Sequence, residues 1–486
     1  MTLLDAEIWQ ERIFSDGWVK AEGGQAPVIE PATGNILGHI GLAGPDDVAA
    51  AAGHAAMAQR TWAALPYSER AAVLRRAGNL WEEHAGEVAD WLTHEAGSVV
   101  PKAELEVATA AQECFEAAAT ASQPFGEVLR TARPRLSLAR RLPVGVVGVI
   151  APFNFPLILS IRSVAPALAL GNAVILKPDP RTAVSGGFSI ARIFEEAGLP
   201  EGLLHVLPGG GEAGEALITD PRVCVISFTG STAVGRRVGE LAARHLKRAH
   251  LELGGNSATI VLPGADLEQA ASAGAFGSFF HQGQICMTTG RHLVHASIAE
   301  QYVELLANKA EHLPVGDPAS AQVALGPIID ERQRDKVHEI VTSSVVAGAR
   351  LVVGGSYEGL FYRPTVLADV TATSPAFQQE IFGPVAPVAE FATLEQAADL
   401  ARSTEYGLSL GILGGDLDQA LALADRIPSG LVHINDQTVD DEATAPFGGV
   451  GASGTGSRFG GGTANVEAFT ETQWLTVQGS ITKYPF

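Results

Sequence analysis

The chain has 486 residues, 46% of them hydrophobic and 18% charged; it can bury large cores and is too long for one, which points to two or three domains. Its formal net charge of -21 repels phosphate backbones and argues against a nucleic-acid partner. Three scattered cysteines, Cys114, Cys224 and Cys286, with no CxxC pair, argue against a disulfide scaffold or a zinc site and for a reducing cytoplasm.

The first ten residues lack a basic stretch followed by an apolar run, so no signal peptide is read there. The segment up to about Gly126 reads as helical after a short β entry. Residues 45–65 are Ala-rich, with Asp46 and Asp47 where acidic side chains suit the positive end of a helix dipole. Residues 68–84 and 101–120 are two further helices, and 125–143 form a basic interruption. From Val144 the texture changes: short apolar runs at 144–150, 173–176, 203–207 and 223–227 alternate with helices such as 182–197, which Gly198 and Pro200 end. That alternation predicts a parallel sheet covered on both faces. The run 144–161 is apolar enough to raise a membrane helix. Gly145, Gly148, Pro152, Asn154 and Pro156 break it, and a buried strand followed by an irregular loop explains it better.

A second α/β region follows Gly254. Asp266 caps a helix running to 281, and Ser297 and Glu300 have capping-box spacing before another. Helices at 330–348 and 416–426 precede strands at 350–353 and 431–435. The tail 469–486 contains the β-prone QWLTVQ. That tail and 125–143 each read either as an arm pairing with another subunit or as ordinary solvated edge.

Several residues have the chemistry of a site. Cys286 follows a glycine that ends a helix, on the polar loop His281-Gln282-Gly283-Gln284-Ile285-Cys286, where a thiol can be reached and ionised. Cys224, inside VCVISF, and Cys114, inside a helix, read instead as small buried hydrophobes. Glu252, between two leucines at a strand end and ahead of two glycines, is either a paired core carboxylate or a base whose pKa burial raises. Asn154, in Pro152-Phe153-Asn154-Phe155-Pro156, has little freedom; it suits an oxyanion donor or simply satisfies a turn. Gly209 to Gly214 fits GxGxxG, a weak signal when alone. Thr229-Gly230-Ser231 follows a strand and opens a helix whose first-turn amides can face a phosphate. Lys177 stands at a strand end, where ligands of open α/β sheets bind.

PFNFP, GNAVILKP, FTGSTAVG, LELGGN, GQIC, EIFGP and PFGGVGASG, in this order, resemble the aldehyde dehydrogenase superfamily from about Pro31 to Thr472. The resemblance implies an α/β fold with a parallel-sheet cofactor domain (1–124 and 144–253), an α/β catalytic domain (254–465) and a small oligomerisation arm (125–143 and 466–486). It makes Cys286 the nucleophile, Glu252 the general base and Asn154 the oxyanion donor. It also places Lys177 at the adenosine ribose, Gly211 near the adenine, and Gly230, Ser231 and Gly235 near the pyrophosphate and adenine. Glu380 would bind the nicotinamide ribose, with Phe382 beside the ring. Aldehyde is the implied substrate, NAD the implied cofactor, and a homodimer or homotetramer the implied assembly.

Two positions depart from the common family pattern. Phe153 stands where Trp is more usual. Pro180 stands where NAD-preferring members often carry Glu, and Arg181 follows it, so NADP is expected to be accepted as well. The stretches 157–162 and 446–461 look most like benzaldehyde and vanillin dehydrogenases. Leu159 and Phe447 are then expected to line an apolar slot for a planar ring, with Arg162 meeting a ring hydroxyl through water or pairing with an acid. An aliphatic aldehyde or semialdehyde is the alternative substrate. A CoA-acylating enzyme would not need Glu252, a non-catalytic homologue would not keep Cys286 and Asn154, and a Cys–His hydrolase would leave the cofactor motifs unexplained.

Overall fold

The computed structural model describes residues 2–486. Two seven-stranded sheets carry the architecture. In the first, the strands run Arg248–Glu252, Val223–Thr229, Val146–Ile150, Ala173–Lys177, Leu204–Val206, Arg12–Ser15 and Trp18–Lys20 across the sheet. The first five are parallel, and Arg12–Ser15 runs antiparallel to both its neighbours, Leu204–Val206 and Trp18–Lys20. Val146–Ile150 is buried along its whole length, as a strand covered on both faces must be. After it the chain adds strands on one side, then returns to add Val223–Thr229 on the other. The order therefore reverses between these two neighbours, and ligands of open α/β sheets bind at the carboxyl ends of strands at such a point.

The second sheet runs Arg350–Val353, Thr365–Ala368, Val385–Phe391, Thr289–His295, Ser257–Val261, Ser409–Leu413 and Leu431–Ile434, with only the first strand antiparallel. One apolar core surrounds the first sheet and two flank the second. A smaller cluster of Ile285, Met287, Leu408 and Phe447 lies apart from these cores. The apolar run at 144–161 becomes a strand, a Pro-rich turn and the start of helix Ile158–Ala169. No helix among the described residues is long and apolar enough to cross a membrane.

The two odd segments pair with each other. Thr470–Val477 lies antiparallel to Leu136–Pro143, which also pairs with Gly126–Val128. Thr470–Val477 keeps one open edge in this three-stranded sheet.

Several expectations are corrected. The helix expected at 182–197 divides into a 3-10 turn at Pro180–Thr182, a π-helical turn at Val184–Phe188 and helix Ser189–Glu196. Packing explains the widened turn: Cβ atoms on Gly186 and Gly187 would lie 2.5 Å from Pro156 and 2.8 Å from Pro178. The buried Glu95 carboxylate takes the amides of Val184 and Ser185 at 2.9 and 2.6 Å. The capping box at Ser297 and Glu300 does not form. Ser297 instead pairs with the His295 ring at 2.8 Å and Glu300 with Arg350 at 2.9 Å, leaving Ile298 as the helix cap. The helix capped by Asp266 stops at Phe279, because His281 and Gln282 adopt left-handed backbone. Cys224 is exposed rather than buried, at a register shift between Val223 and Val225 that turns it out of the core.

Asn172 ties the first sheet to its surroundings. Its side chain is buried, accepts from the Gly145 amide at 3.0 Å and donates to the Ala167 and Phe469 carbonyls at 2.9 and 3.0 Å. Asn172→Ala takes this partner from the Gly145 amide and the Phe469 carbonyl, while the Ala167 carbonyl keeps the backbone amide of residue 172, and should cost about 3 kcal/mol, read as a lower denaturant midpoint at unchanged slope. A midpoint equal to that of the wild type would remove Asn172 from this role.

Candidate active site

Three loops converge on one place. The first follows strand Val146–Ile150 and carries Asn154, which is buried and donates from its side-chain amide to the Gln284 carbonyl at 2.8 Å. The second leads from helix Leu267–Phe279 to strand Thr289–His295 and carries Cys286. Its backbone is left-handed at His281, Gln282 and Gly283, with φ of 49°, 55° and 66°. Two non-glycine residues in that region carry strain that the surroundings must offset. Gln282 supplies part of that support by donating to the carbonyls of Gly97 and Pro327 at 3.2 and 2.9 Å. Gln284 adds to it by accepting from the Ile329 amide at 3.0 Å.

The third loop follows strand Arg248–Glu252. Its two glycines are required by close approach. A Cβ on Gly254 would lie 2.5 Å from the Glu380 carboxylate, and one on Gly255 would lie 2.2 Å from the Cys286 carbonyl. Glu252 is buried and neither carboxylate oxygen has a well-formed hydrogen bond. Burial pushes this acid well above the ordinary carboxyl range, offset in part by Arg162, Arg458 and the Gly449 amide. Burial likewise pushes the Cys286 thiol up to about 12, helped by the negative charge of Glu380, while Arg162 pulls it down.

Cys286, Asn154 and Leu159 line two cavities at once. One, of about 130 Å³, is walled by Phe155, Phe276, Phe280, Ile285, Met287 and Phe447, with Thr109, Asp440 and Asp441 as its polar members. The other, of about 140 Å³, is walled by Gly230, Ser231, Gly254, Glu380, Phe382, Gln333 and Lys336. A larger hollow of about 630 Å³ lies among the helices Tyr67–Glu83, Ala85–Ala96 and Val100–Thr120, and no motif residue lines it. The two smaller cavities share the Cys286 thiol and are the candidates for chemistry.

The second cavity lies beside the strand-order reversal, and its surroundings fit a phosphate-bearing ligand. Ser231 caps helix Thr232–Arg244 by accepting from Val234, which leaves the amides of the first turn to face an anion. Around Gly210 and Gly211 there is open space, with nothing within 4 Å of a Cβ built on either. Lys177 stands at its strand end beside Gly214, 3.7 Å from the Cβ position there, and burial lowers its pKa. Glu380 accepts from the Gly255 amide at 2.9 Å and borders the cavity with Phe382, whose ring meets Phe153 edge-on at 5.9 Å. Gly235 owes its identity to packing, because a Cβ would lie 2.1 Å from Leu253. Among the described residues no cluster of His, Cys, Asp or Glu is arranged to hold a metal ion.

Arg162 does not line the first cavity. It is buried behind Phe447, 4.4 Å from the ring centroid, and pairs with Asp441. Of the two roles expected for it, pairing with an acid is the one seen. Arg181 is also engaged: it bonds Asp179 at 2.7 Å and Asp330 at 2.6 Å and lies 4.2 Å over the Phe153 ring. Sequence reasoning missed Phe155, Phe276, Phe280 and Met287 as wall residues. Their aromatic and apolar character is indistinguishable locally from core. Asp440 and Asp441, an acidic pair six residues ahead of Phe447, are the feature of this wall that the sequence marks.

Residues 18–475 match the Aldehyde dehydrogenase family. The chain is 68% identical to vanillin dehydrogenase of an Amycolatopsis strain over 486 residues, covering 100% of both chains. It is 52% identical to benzaldehyde dehydrogenase [NAD(+)] of Pseudomonas putida, covering 99% of this chain and 98% of that one. Among solved structures it matches a salicylaldehyde dehydrogenase from Pseudomonas putida G7 complexed with salicylaldehyde. That match has a TM-score of 0.94 at 34% identity and covers 98% of this chain and 99% of the other. With two parallel sheets meeting at a shared thiol and amide, the chain belongs to the aldehyde dehydrogenase family.

Proposed function

We propose that this protein oxidises aromatic aldehydes, benzaldehyde and its hydroxy and methoxy derivatives including vanillin, to the carboxylic acids with NAD as cofactor. The observation that carries this reading is that Cys286 borders both an aromatic-walled slot and a polar cavity at the strand ends. A planar ring in the slot puts its aldehyde carbon at the thiol. The likeness to vanillin and benzaldehyde dehydrogenases supports the same substrate class.

In this reading the Cys286 thiolate, its proton lost to solvent, attacks the aldehyde carbon. The Asn154 side-chain amide and the Cys286 backbone amide donate to the oxyanion, each such donor being worth about 3–4 kcal/mol of barrier. When bound, the dinucleotide supplies the hydride acceptor. Lys177, Gly211, Gly230, Ser231 and Gly235 hold its adenosine and phosphate portion, and Glu380 and Phe382 hold the nicotinamide end. Cys286 then carries the acyl group as a thioester. Glu252 takes a proton from the water that cleaves it, a role suited to a buried carboxylate with free lone pairs. Leu159 and Phe447 shape the slot, and Arg162 braces Phe447 from behind. We assign the cofactor unit to 1–124 and 144–253, the catalytic unit to 254–465, and the arm to 125–143 and 466–486. The open edge of Thr470–Val477, with Trp474 and Val477 exposed beside it, supports docking of the arm on a second copy, as homodimer or homotetramer.

Cys286→Ala should abolish oxidation. Glu252→Gln should give one burst of NADH and then turnover slower by about a hundredfold or more. Because Glu252 works only when ionised and its pKa is raised, wild-type turnover should climb with pH through that raised value and then level off. Glu252→Gln should lose the climb. Wild-type turnover in Glu252→Gln would refute the base assignment.

Cofactor choice follows from Pro180 and the engaged Arg181. With no carboxylate at position 180 to repel a 2′-phosphate, NADP should be accepted. With Arg181 held by Asp179 and Asp330, NAD should be preferred. Steady-state comparison decides: a preference beyond about a thousandfold, near 4 kcal/mol, would contradict a permissive site.

For substrate choice, kcat/KM should be higher for benzaldehyde and vanillin than for acetaldehyde, hexanal and succinic semialdehyde. An aliphatic substrate leading by about tenfold, ~1.4 kcal/mol, would remove the aromatic assignment and leave the catalytic one standing.

A further inference from the structure

Behind the motif residues, the start of helix Val100–Thr120 reaches both loops of the site. Lys102 and Glu106 lie on successive turns of this helix and are fully buried. A buried ion pair is costly unless its remaining donors and acceptors are also used. Here they are used on the Asn154 loop. The Lys102 ammonium donates to Glu106, to Ser98 Oγ at 3.0 Å and to the Asn154 carbonyl at 2.8 Å. It also lies 4.3 Å from the centroid of the Phe155 ring. The second oxygen of Glu106 accepts from the Leu157 and Ile158 amides at 3.1 and 3.2 Å. Together the pair grips the backbone on both sides of Phe155 and Pro156.

The same stretch supports the cysteine loop. The Gly97 carbonyl accepts from Gln282 at 3.2 Å, inside the left-handed turn that precedes Cys286. The His281 ring of that turn meets Phe155 at 5.3 Å, close to edge-on. Well-packed apolar residues commonly replace a buried ion pair without loss of stability. Fold stability alone therefore does not account for a charged pair whose outward hydrogen bonds include three to the Asn154 loop.

We propose that Lys102 and Glu106 are positioning residues: they clamp residues 154–158 so that the Asn154 side-chain amide is aimed at the oxygen of the adduct that Cys286 carries. The proposal rests on the oxyanion role assigned to Asn154 above. Preorganised donors act only when their geometry is held before reaction. Misplacement by about 1 Å can cost about a hundredfold in rate.

The test is a kinetic cycle between the clamp and Asn154. Lys102→Met combined with Glu106→Gln removes the charges together and leaves an amide oxygen for Leu157 and Ile158. In this variant kcat with vanillin should fall by about thirtyfold or more. NAD affinity and aldehyde KM should stay within about threefold, since lost transition-state contacts lower kcat rather than raise KM. Asn154→Ala should be severe in the wild type and nearly silent in the clamp variant, because the two act as one unit. If the double variant does not fold, Glu106→Gln alone enters the same cycle. The proposal is overturned if the clamp variant keeps wild-type kcat, or if its loss and that of Asn154→Ala simply multiply. If Asn154→Ala itself keeps wild-type kcat, the oxyanion assignment falls, and the clamp with it. A lowered thermal midpoint with unchanged kcat marks the pair as merely structural.

Discussion

The hydrogen bond from the Asn154 side chain to the Gln284 carbonyl, 2.8 Å long, joins a loop that leaves the first sheet to a loop that enters the second. Each sheet has its own core and its own packing. The site exists only where these two loops meet, so its geometry depends on how firmly each is held. The left-handed turn at His281, Gln282 and Gly283 sets the cysteine loop, with Gly283 indispensable because a Cβ there would lie 2.2 Å from the Gly383 carbonyl. Strain of this kind persists only when several contacts over-determine it. Gln282, Gln284 and the edge-on packing of His281 against Phe155 supply those contacts.

Burial at this junction makes charge costly. Glu252, Glu380 and Asp441 are all buried enough that desolvation raises their pKa values. The same desolvation holds the Cys286 thiol high. Arg162, itself buried against Phe447 and Asp441, is the cation that moderates Glu252, Asp441 and Cys286. A low-dielectric pocket with few fixed donors strengthens each interaction made there. In the proposed mechanism it also keeps bulk water from the Cys286 thioester.

Much of this was legible in the sequence. The four apolar runs between Val144 and Ser227 correspond to four of the five parallel strands of the first sheet, and the fifth, Arg248–Glu252, is legible only as a strand ending at Glu252. Cys286, Glu252 and Asn154 stood out because their neighbours, glycines and prolines, constrain backbone in ways that ordinary core does not. What stayed hidden depends on long-range contact. Lys102 and Glu106 look like any i, i+4 pair on a solvated helix face, and only the fold buries them. Arg162 reads as an odd charge in an apolar helix, and its partner Asp441 lies 279 residues away. The π-helical turn at Val184–Phe188 and the exposure of Cys224 follow from neighbours in space, Pro156 and Pro178 for one and a strand register shift for the other.

The central claim is that one thiol carries the substrate and one carboxylate releases it. The most direct measurement is intact and peptide mass spectrometry of Glu252→Gln, quenched in acid after mixing with NAD and vanillin. The account predicts that the protein gains the mass of one vanilloyl group, located on the peptide that contains Cys286. An unmodified Cys286, with NADH formed in the same sample, would contradict it.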